Sequence, residues 1–378
     1  KGIENKEEAL EYINNAINSD SEYISCDTET TGLFPRDGYI LGISLAYEKD
    51  SGVYILTDII DEEVEEQLQK LFWNKKVIFH NAKFDLAMLE YHFNFEFPRV
   101  EDTMLLHYLL NENPGTHGLK QLAMKHTKYG DYEKPLTEYI EQYCRRNRVL
   151  KSQFNWGMIP FDIMQVYSAM DAVVTFILFH VFKEAIAKNP KLEKVYDDIL
   201  IPGVFFLKDM QDIGVPFDRK RLELAQNLMT EDIEEAITGL YNFPEVKIFE
   251  KGQGKEFNPN STVQLRSLLF DYIGLKPTGK KTGTGANSTD AEVLQKLGMQ
   301  HEIPKYILSI RQKSKIKNTY LDKIIPQLDR DSRLRTNFNL HTTTSGRLSS
   351  SGKLNMQQIP RDNPIIKGCI KAKDDNKI

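Results

Sequence analysis

Apolar positions in the first part of the chain follow two different periods. Short apolar runs bounded by turn residues predict strands, and apolar positions three or four apart predict helices. Strands are predicted at Tyr23–Cys26, Ile40–Tyr47, Val53–Leu56 and Lys76–Phe79. Helices are predicted near Glu62–Trp73, Phe84–His92, Met104–Leu110, Leu119–Lys125 and Asp162–Lys188, after a polar, helix-like stretch at 1–21. This order predicts a mixed α/β domain with an early hairpin or meander.

The pattern becomes mainly helical after about residue 199. An apolar run from Ile201 to Gly214 is followed by a predicted helix at Arg219–Leu240. Glycine and lysine are frequent at Lys251–Asn260 and at Lys276–Asn287, which predicts exposed loops. Between these loops, Ser261 is the expected N-cap of a helix that reaches Tyr272.

Composition limits the class of protein. The 378 residues are enough for two or three domains, and no apolar run approaches the roughly 20 residues that span a bilayer. Cys26, Cys144 and Cys369 are far apart, which argues against a zinc or disulfide framework and suits a reducing cytoplasm. We therefore expect a cytoplasmic protein without membrane contact. The first residue is Lys1 rather than methionine, so we also expect the chain to be part of a longer protein.

Charge is distributed unevenly. The net charge is −5, but residues 301–378 hold 16 Lys or Arg and only 7 Asp or Glu. A basic tail behind an acidic front favours contact with a polyanion, although a solvated basic face would give the same count.

Two carboxylates lie two residues apart where the first predicted strand ends. The period of a strand places Asp27 and Glu29 on one face. Such carboxylates repel each other unless a cation lies between them, and oxygen ligands suit Mg²⁺ or Mn²⁺. An isolated Asp-x-Glu is more often a pair of solvated turn residues.

Two further carboxylates strengthen the metal hypothesis. Asp85 follows a buried strand near a helix start, and Asp171 shares a helix face with Tyr167. Four carboxylates from separate elements can hold two metal ions, one to activate a water and one to stabilise a leaving 3′ oxygen. Tyr167 could orient the attacking water through a hydrogen bond.

The three segments that carry these residues resemble a known family. Asp27-Thr28-Glu29-Thr30-Thr31-Gly32-Leu33, Asn81-Ala82-Lys83-Phe84-Asp85 and Tyr167-Ser168-Ala169-Met170-Asp171 are similar, in order, to the three exonuclease motifs of the DEDD superfamily, tyrosine subtype. The resemblance implies a ribonuclease H-like fold and 3′→5′ hydrolysis of DNA ends. Asp27, Glu29, Asp85 and Asp171 would hold two divalent ions, Mg²⁺ or Mn²⁺, with Tyr167 as the fifth catalytic residue.

The same resemblance assigns two DNA contacts in the first domain. It implies that Leu33 wedges between the terminal bases of a single-stranded 3′ end, and that Asn81 helps to position this end; a core leucine is the alternative for Leu33. We interpret His80 as a neighbour of the site and Asp102 as structural support.

Basic and small polar residues of the second half are candidates for phosphate contacts. Arg311 and Lys315 would share one face of a helix and could follow a phosphate backbone, although a charged helix face without a ligand is the alternative. Ser261 lies at a predicted helix start, where phosphates are readily bound. The stretch Lys315-Ile316-Lys317-Asn318-Thr319-Tyr320 adds the candidates Lys317, Asn318 and Thr319.

Two segments near the end of the sequence carry a second resemblance. They are Thr342-Thr343-Thr344-Ser345-Gly346-Arg347-Leu348-Ser349-Ser350 and, after it, Leu354-Asn355-Met356-Gln357-Gln358-Ile359-Pro360-Arg361. Together they resemble the thumb-to-palm passage of family A DNA polymerases, the bacterial polymerase I type. The resemblance implies that Arg347, Asn355 and Gln357 contact a primer–template duplex through its minor groove, which presents nearly the same acceptors for every base pair. Members of this family often have one residue between the Pro and the Arg of this passage, whereas here Arg361 directly follows Pro360. The register beyond Pro360 is therefore left open, and the resemblance of the compact passage favours a phage origin.

We therefore predict an α/β exonuclease domain at 1–195, a mainly helical polymerase thumb at 196–335 and an incomplete palm at 336–378. The favoured function is the proofreading and DNA-binding part of a family A DNA polymerase, with a continuation that carries palm and fingers as partner. A free-standing exonuclease with a helical DNA-binding domain and a non-catalytic DNA-binding module are the alternatives. The intact carboxylates argue against the second alternative, and the Thr-Ser-Gly-Arg-Leu-Ser-Ser passage argues against the first.

The family's palm carboxylate motifs and nucleotide-binding helix are not found in this sequence. A polymerase cannot hold its catalytic metal ions without those carboxylates, so we expect the purified 378-residue chain not to extend a primer. The measurement is extension of a labelled primer–template with dNTPs and Mg²⁺, and robust extension would contradict the prediction.

Overall fold

The computed structural model describes residues 1–352, 354–359 and 363–372. Within them the chain forms two compact units. The first consists of Lys1–Ile213 and Asn337–Ser351, and the second of Gly214–Thr336 and the described part of Gly352–Ile378. Pro360 and Arg361, whose register the sequence left uncertain, lie outside the described residues, as do the last six residues of the predicted palm.

The described residues contain ten strands and sixteen α-helices. The strands are β1 Gly2–Ile3, β2 Tyr23–Thr30, β3 Ile40–Ala46, β4 Val53–Leu56, β5 Lys76–Phe79, β6 Val100–Asp102, β7 Val215–Pro216, β8 Arg333–Leu334, β9 Asn337–Asn339 and β10 Ser349–Ser351. The helices are α1 Lys6–Asn18, α2 Glu62–Asn74, α3 Ala82–Phe93, α4 Thr103–Leu110, α5 Leu119–His126, α6 Lys134–Asn147, α7 Phe161–Ala187, α8 Pro190–Val195, α9 Ile201–Ile213, α10 Arg219–Tyr241, α11 Pro244–Gln253, α12 Thr262–Arg266, α13 Ala291–Leu297, α14 Ile303–Ile316, α15 Asp322–Gln327 and α16 Pro364–Lys367.

A six-stranded sheet forms the centre of the first unit, with strand order β1-β4-β3-β2-β5-β6. β2, β3 and β4 form an antiparallel meander, and β5 and β6 continue the sheet in parallel with β2. The long helix α7 contacts β2 and β3 and is buried along much of its length, at Val174, Leu178 and Phe182 among others. The mixed α/β prediction and its early meander are confirmed.

Most predicted elements of the first unit are present, with differences in length. β2 extends four residues beyond Cys26, because the pairing with β3 continues through Asp27 and Glu29. Helix α6 and strand β6 were not predicted: α6 has few buried residues, and β6 is only three residues long. In the second unit, the loop predicted at Lys251–Asn260 is wrong at its start, because α11 continues to Gln253 and ends at Gly254 in the left-handed conformation.

The second unit is mainly helical and has two apolar clusters. One lies among α10, α11, α13 and α14 and includes Leu240, Phe249, Leu294 and Ile307. The other includes Phe217, Leu321 and Ile366, and the two-stranded pair of β7 and β8 adjoins it. Short π-helical segments at Ser267–Tyr272 and Lys317–Leu321 directly follow α12 and α14, so each helical run continues past the end of its α-helix.

The strand pair β9–β10 belongs to the first unit although it lies late in the sequence. The Tyr108 hydroxyl donates to the carbonyl oxygen of Thr343 at 2.7 Å, and Leu340 packs against the main apolar cluster. The backbone N–H of Phe338 donates to Gln211 Oε1 at 2.9 Å. The division into three domains at 195 and 335 stays a prediction.

Asp102 holds two helix starts together at the carboxyl end of β6. Its Oδ1 accepts the backbone N–H groups of Asn81, Met104 and Leu105 at 3.2, 2.8 and 3.3 Å, and its Oδ2 accepts that of Ala82 at 2.8 Å. Unpaired N–H groups at a helix start need such an acceptor, and here one buried carboxylate serves both α3 and α4. The structural role expected of Asp102 is therefore observed.

Replacing Asp102 with alanine should destabilise the first unit more than loss of an ordinary N-cap does. Each charged hydrogen bond contributes on the order of 1.5–3 kcal/mol, so we expect a loss of roughly 3 kcal/mol or more in the free energy of unfolding. The measurement is urea denaturation. Asp61→Ala is the comparison, since Asp61 caps α2 through the N–H of Val64 and pairs with Lys6 on an exposed surface, and its loss should cost about 1–2 kcal/mol. Equal losses would contradict the role given to Asp102.

Candidate functional site

Strand β2 delivers two carboxylates to one face of the sheet. Asp27 pairs with Ser44 and Glu29 with Gly42 on β3, and the register shifts between Glu29 and Thr30. Gly42 is required there, because a Cβ at this position would lie 2.4 Å from the ring of Tyr54. Glu29 is buried and Asp27 is half-buried, so the two charges are largely withdrawn from water.

Helix α7 brings Asp171 to these two residues. Oxygen atoms of Asp27, Glu29 and Asp171 lie within 4.8 Å of one another, which is close enough to bind one metal ion together. Ser168, one turn before Asp171 on the same helix, donates its hydroxyl to Glu29 Oε1 at 2.8 Å. Among the described residues this is the one group of three or more His, Cys, Asp or Glu that meets this distance criterion.

Asp85 adjoins the group of three without being a member of it. Its Oδ1 accepts the backbone N–H and the hydroxyl of Thr28 at 3.0 and 2.7 Å, and Thr28 lies between Asp27 and Glu29 on β2. Asp85 is buried in the first turn of α3. Of the four carboxylates predicted from the sequence, three share one cluster and the fourth is bound to the strand that carries two of them.

The electrostatics of the cluster favour a cation. Burial raises the pKa of Asp27 well above its usual range, and the charges of Asp85, Asp171 and Glu29 raise it further. Burial and then the charge of Asp171 raise the pKa of Glu29 to about 7, while the hydrogen bond from Ser168 opposes this. Carboxyl groups that resist ionisation together become stable anions when a divalent ion is among them, and hard oxygen ligands suit Mg²⁺ or Mn²⁺. The residues present therefore fit a divalent metal.

Two side chains that sequence reasoning missed also contact Asp171. Lys120 Nζ forms an ion pair with Asp171 Oδ1, and the Tyr132 hydroxyl donates to the same oxygen. The ammonium group of Lys120 lies 4.2 Å from the ring centroid of Tyr167 and 4.7 Å from that of Tyr132. Neither residue belongs to a motif with the carboxylates, so no spacing in the sequence pointed to them. Tyr167 lies beside Asp171, as their spacing on one helix predicted.

The two DNA contacts predicted in the first unit have different settings. Leu33 follows β2 and is 79% exposed, which excludes the core alternative for this residue. Asn81 precedes α3 with a φ of 72°, a left-handed conformation held by the bond to Asp102. His80 bonds through Nδ1 to Thr103 Oγ1 at 2.8 Å and lies outside the carboxylate cluster.

The basic candidates of the second unit differ in availability. Arg311 donates to the carbonyl oxygens of Thr289 and Pro259 at 2.8 and 3.5 Å, so its guanidinium is used within the protein. Lys317 forms an ion pair with Asp322 at 2.9 Å, whereas Lys315 is exposed and pairs with no carboxylate among the described residues.

The smaller polar candidates lie near helix termini or at the surface. Ser261 uses its hydroxyl as the N-cap of α12. Asn318 is exposed, and Thr319 is half-buried.

The three predicted duplex contacts divide between the two units. Arg347 is exposed in the loop between β9 and β10 of the first unit, where its carbonyl oxygen accepts the Thr343 hydroxyl at 2.6 Å. Asn355 and Gln357 belong to the second unit. There, Asn355 Oδ1 accepts the backbone N–H of Gln357 at 3.0 Å and caps a short 3₁₀ turn.

Comparison with known proteins decides the family. Residues 1–187 match the family model described as 3′-5′ exonuclease, and residues 228–378 match that of DNA polymerase family A. The chain is 47% identical to the DNA polymerase of Escherichia phage T5 over 98% of its own length. The chain belongs to the family A DNA polymerases.

This family A chain is also similar to a bacterial enzyme and to that of a second phage. It is 30% identical to DNA polymerase I of Borreliella burgdorferi over 90% of its length, and 27% identical to the DNA polymerase of Bacillus phage SP01 over 87%. It spans 44%, 35% and 39% of the phage T5, Borreliella and phage SP01 proteins, respectively. The chain thus comprises the exonuclease part and a portion of the polymerase part of such a protein.

A solved structure of the polymerase domain of Pol1 from M. smegmatis, in complex with DNA primer-template and dNTP, shares the fold. The TM-score is 0.74 at 21% identity, with 98% of this chain and 58% of the other covered. The predicted fold class is thereby confirmed. In the described residues of this family A chain, no helix is both long and apolar enough to cross a membrane.

The carboxylate cluster should destabilise the metal-free protein as pH rises. The carboxyl groups have pKa values of about 4 in the unfolded chain, whereas the pKa of Glu29 in the folded cluster is raised to about 7. Their contribution to stability is complete below the unfolded pKa and is lost as pH rises through the folded pKa. We expect Asp27→Asn to increase the free energy of unfolding in EDTA at pH 8 by on the order of 1–3 kcal/mol, and less at pH 5.

Urea denaturation at both pH values measures this effect. Asp20→Asn is the control, since Asp20 is exposed in the same unit and should change the stability little at either pH. A variant D27N that is less stable than wild type at pH 8 would show that other interactions of Asp27 outweigh the repulsion among the carboxylates.

Proposed function

We propose that this chain is the metal-dependent 3′→5′ exonuclease and DNA-binding part of a family A DNA polymerase. The observation that carries the proposal is the cluster of Asp27, Glu29 and Asp171 oxygen atoms within 4.8 Å of one another. Three buried or half-buried carboxylates from a strand and a helix have little reason to share a pocket except to bind a cation. The matched exonuclease family agrees with this chemistry.

Asp27, Glu29 and Asp171 would hold one divalent ion, and Asp85 would share a second with Asp27. Bound Mg²⁺ or Mn²⁺ would supply acidification of the attacking water and compensation of negative charge at the leaving 3′ oxygen. The hydrogen bond from Ser168 orients Glu29, and the two bonds from Thr28 orient Asp85, so both carboxylates are fixed before a substrate arrives.

Tyr167 is suited to place the attacking water. Its hydroxyl is buried beside Asp171, and burial together with that carboxylate raises the pKa of Tyr167, so it stays protonated and can donate a hydrogen bond at neutral pH. A water held between this hydroxyl and the carboxylates would be directed at the terminal phosphodiester.

The substrate of this site would be a single-stranded 3′ end. Leu33 is an exposed apolar side chain beside the acidic strand β2, a position from which it could insert between bases. Asn81 would contact the terminal nucleotide from the start of α3. Both roles follow from the motif resemblance, and the exposure of Leu33 supports the first.

The polymerase portion would bind a primer–template duplex, as the Pol1 structure from M. smegmatis does by its description. Arg347 and Lys315 are exposed cations and would contact phosphates or base edges. Further polar contacts would come from Ser261, Lys317, Asn318, Thr319, Asn355 and Gln357, whereas Arg311 would support the surrounding backbone. This segment would act with palm and finger segments in the cytoplasm of a bacterium or a phage-infected cell.

Removing one carboxylate should abolish hydrolysis. Asp27→Ala takes away a ligand that both ions would share, and because metal ions contribute several kcal/mol to such transition states, we expect at least about a 100-fold lower rate. The measurement is degradation of a 3′-labelled single-stranded oligonucleotide by the full chain with Mg²⁺, and with EDTA as the metal-free comparison.

Asp20→Ala serves as the control, because Asp20 is an exposed aspartate of the same unit outside the cluster. It should degrade the oligonucleotide at the wild-type rate. Wild type and D27A with the same rate, or no metal-dependent degradation by a folded wild-type chain, would favour a non-catalytic DNA-binding module instead.

A further inference from the structure

We propose that Lys120 is an internal cation of the carboxylate cluster that stabilises the metal-free site and opposes the binding of divalent metal ions. The inference rests on the proposed metal site. It assigns an electrostatic role to a residue outside the exonuclease motifs.

Among the described residues, the Lys120 ammonium group contacts Asp171 and the two tyrosines beside it. Its ammonium group forms an ion pair with Asp171 Oδ1 and donates to the Tyr132 hydroxyl at 3.1 Å. It also lies over the rings of Tyr132 and Tyr167, both within the range of cation–π attraction. One cation thus binds a cluster carboxylate and two aromatic side chains at once.

Burial strengthens the electrostatic interaction between Lys120 and Asp171. The Lys120 side chain is 22% exposed and that of Asp171 is 6% exposed, so water screens their interaction weakly. A lysine loses side-chain entropy when it is held in such a pocket, and the pocket must compensate for that loss. Here the compensation comes from the ion pair with Asp171 and from the rings of Tyr132 and Tyr167.

The same charge acts on any cation that enters. Asp171 Oδ1 already accepts hydrogen bonds from Lys120 and Tyr132, and Asp171 is also a member of the group that could hold a metal ion. A divalent ion therefore has to displace the ammonium group or bind close to it. Either arrangement makes the binding of the ion less favourable. Lys120 therefore stabilises the metal-free site by neutralising part of its negative charge, and it lowers the affinity of the site for the metal ion.

Charge-removing variants of the full chain test the proposal. We expect Lys120→Gln and Lys120→Met to bind Mn²⁺ roughly 10-fold or more tightly than wild type in isothermal titration calorimetry, because removing a unit charge within a few ångströms removes its repulsion. Two such variants are used so that, if one of them does not fold, the other still tests the proposal. K120R, which keeps the charge, should bind with an affinity near that of wild type.

Thermal unfolding supplies a readout that a merely structural role would not produce. K120Q should melt at a lower temperature than wild type in EDTA, and saturating Mn²⁺ should raise its melting temperature by more than it raises that of wild type. If Lys120 only supported the fold, the K120Q substitution would lower the melting temperature by the same amount in EDTA and in saturating Mn²⁺.

Lys128→Gln is the matched control, since Lys128 pairs with Asp50 on the exposed surface of the same unit and should leave Mn²⁺ affinity unchanged. Mn²⁺ affinity of K120Q and K120M equal to or weaker than that of wild type would overturn the role of Lys120. If instead wild type and D27N bind Mn²⁺ alike, the proposed metal site itself fails.

Discussion

Repulsion among buried carboxylates is the constraint on which the rest of the first unit depends. Asp27, Glu29 and Asp171 are drawn together by the pairing of β2 with β3 and by the packing of α7 against both strands. Such an arrangement is unfavourable in a protein that has no cation to place there, since burial and like charge both disfavour ionisation. The surrounding residues reduce the conflict: Ser168 donates to Glu29, Thr28 donates to Asp85, and Lys120 pairs with Asp171.

Rigid elements hold this unfavourable cluster in place. β2 is a central strand with neighbours on both sides, and α7 is buried at many positions along 27 residues. The start of α3, which carries Asp85, is fixed through the four N–H groups that Asp102 accepts at the starts of α3 and α4. Stability in these elements thus supports a site that would by itself weaken the fold, as is common where charge is prepared for binding or catalysis.

The polymerase-like part of the chain is built differently. Its helices α10 to α14 surround an apolar cluster, and many of its charges form ion pairs or hydrogen bonds within the protein, as Arg311 and Lys317 do. A positive count in the sequence therefore overstates the charge available to a polyanion. The loop that carries Arg347 departs from this arrangement, because β9 and β10 fold with the exonuclease sheet unit. A polymerase motif is thus supported by residues of the first unit, among them Tyr108 and Gln211.

Local pattern was sufficient for strands β2 to β5, for several of the long helices and for the acidic motifs, because periodicity and i to i+4 spacing are properties of neighbouring residues. The pairing of Glu29 with Asp27 needed only a strand, and that of Tyr167 with Asp171 needed only a helix. The meander and the family resemblance could be predicted for the same reason, since consecutive strands and short motifs are also local features of the sequence. Tertiary structure alone decided that Lys120 and Tyr132 contact Asp171, that Asp85 bonds to Thr28, that Arg311 is used internally, and that Asn337–Ser351 folds with residues more than a hundred positions earlier. These contacts join residues that are distant in sequence, and their energies depend on burial and charge at a place that exists only once the chain has folded.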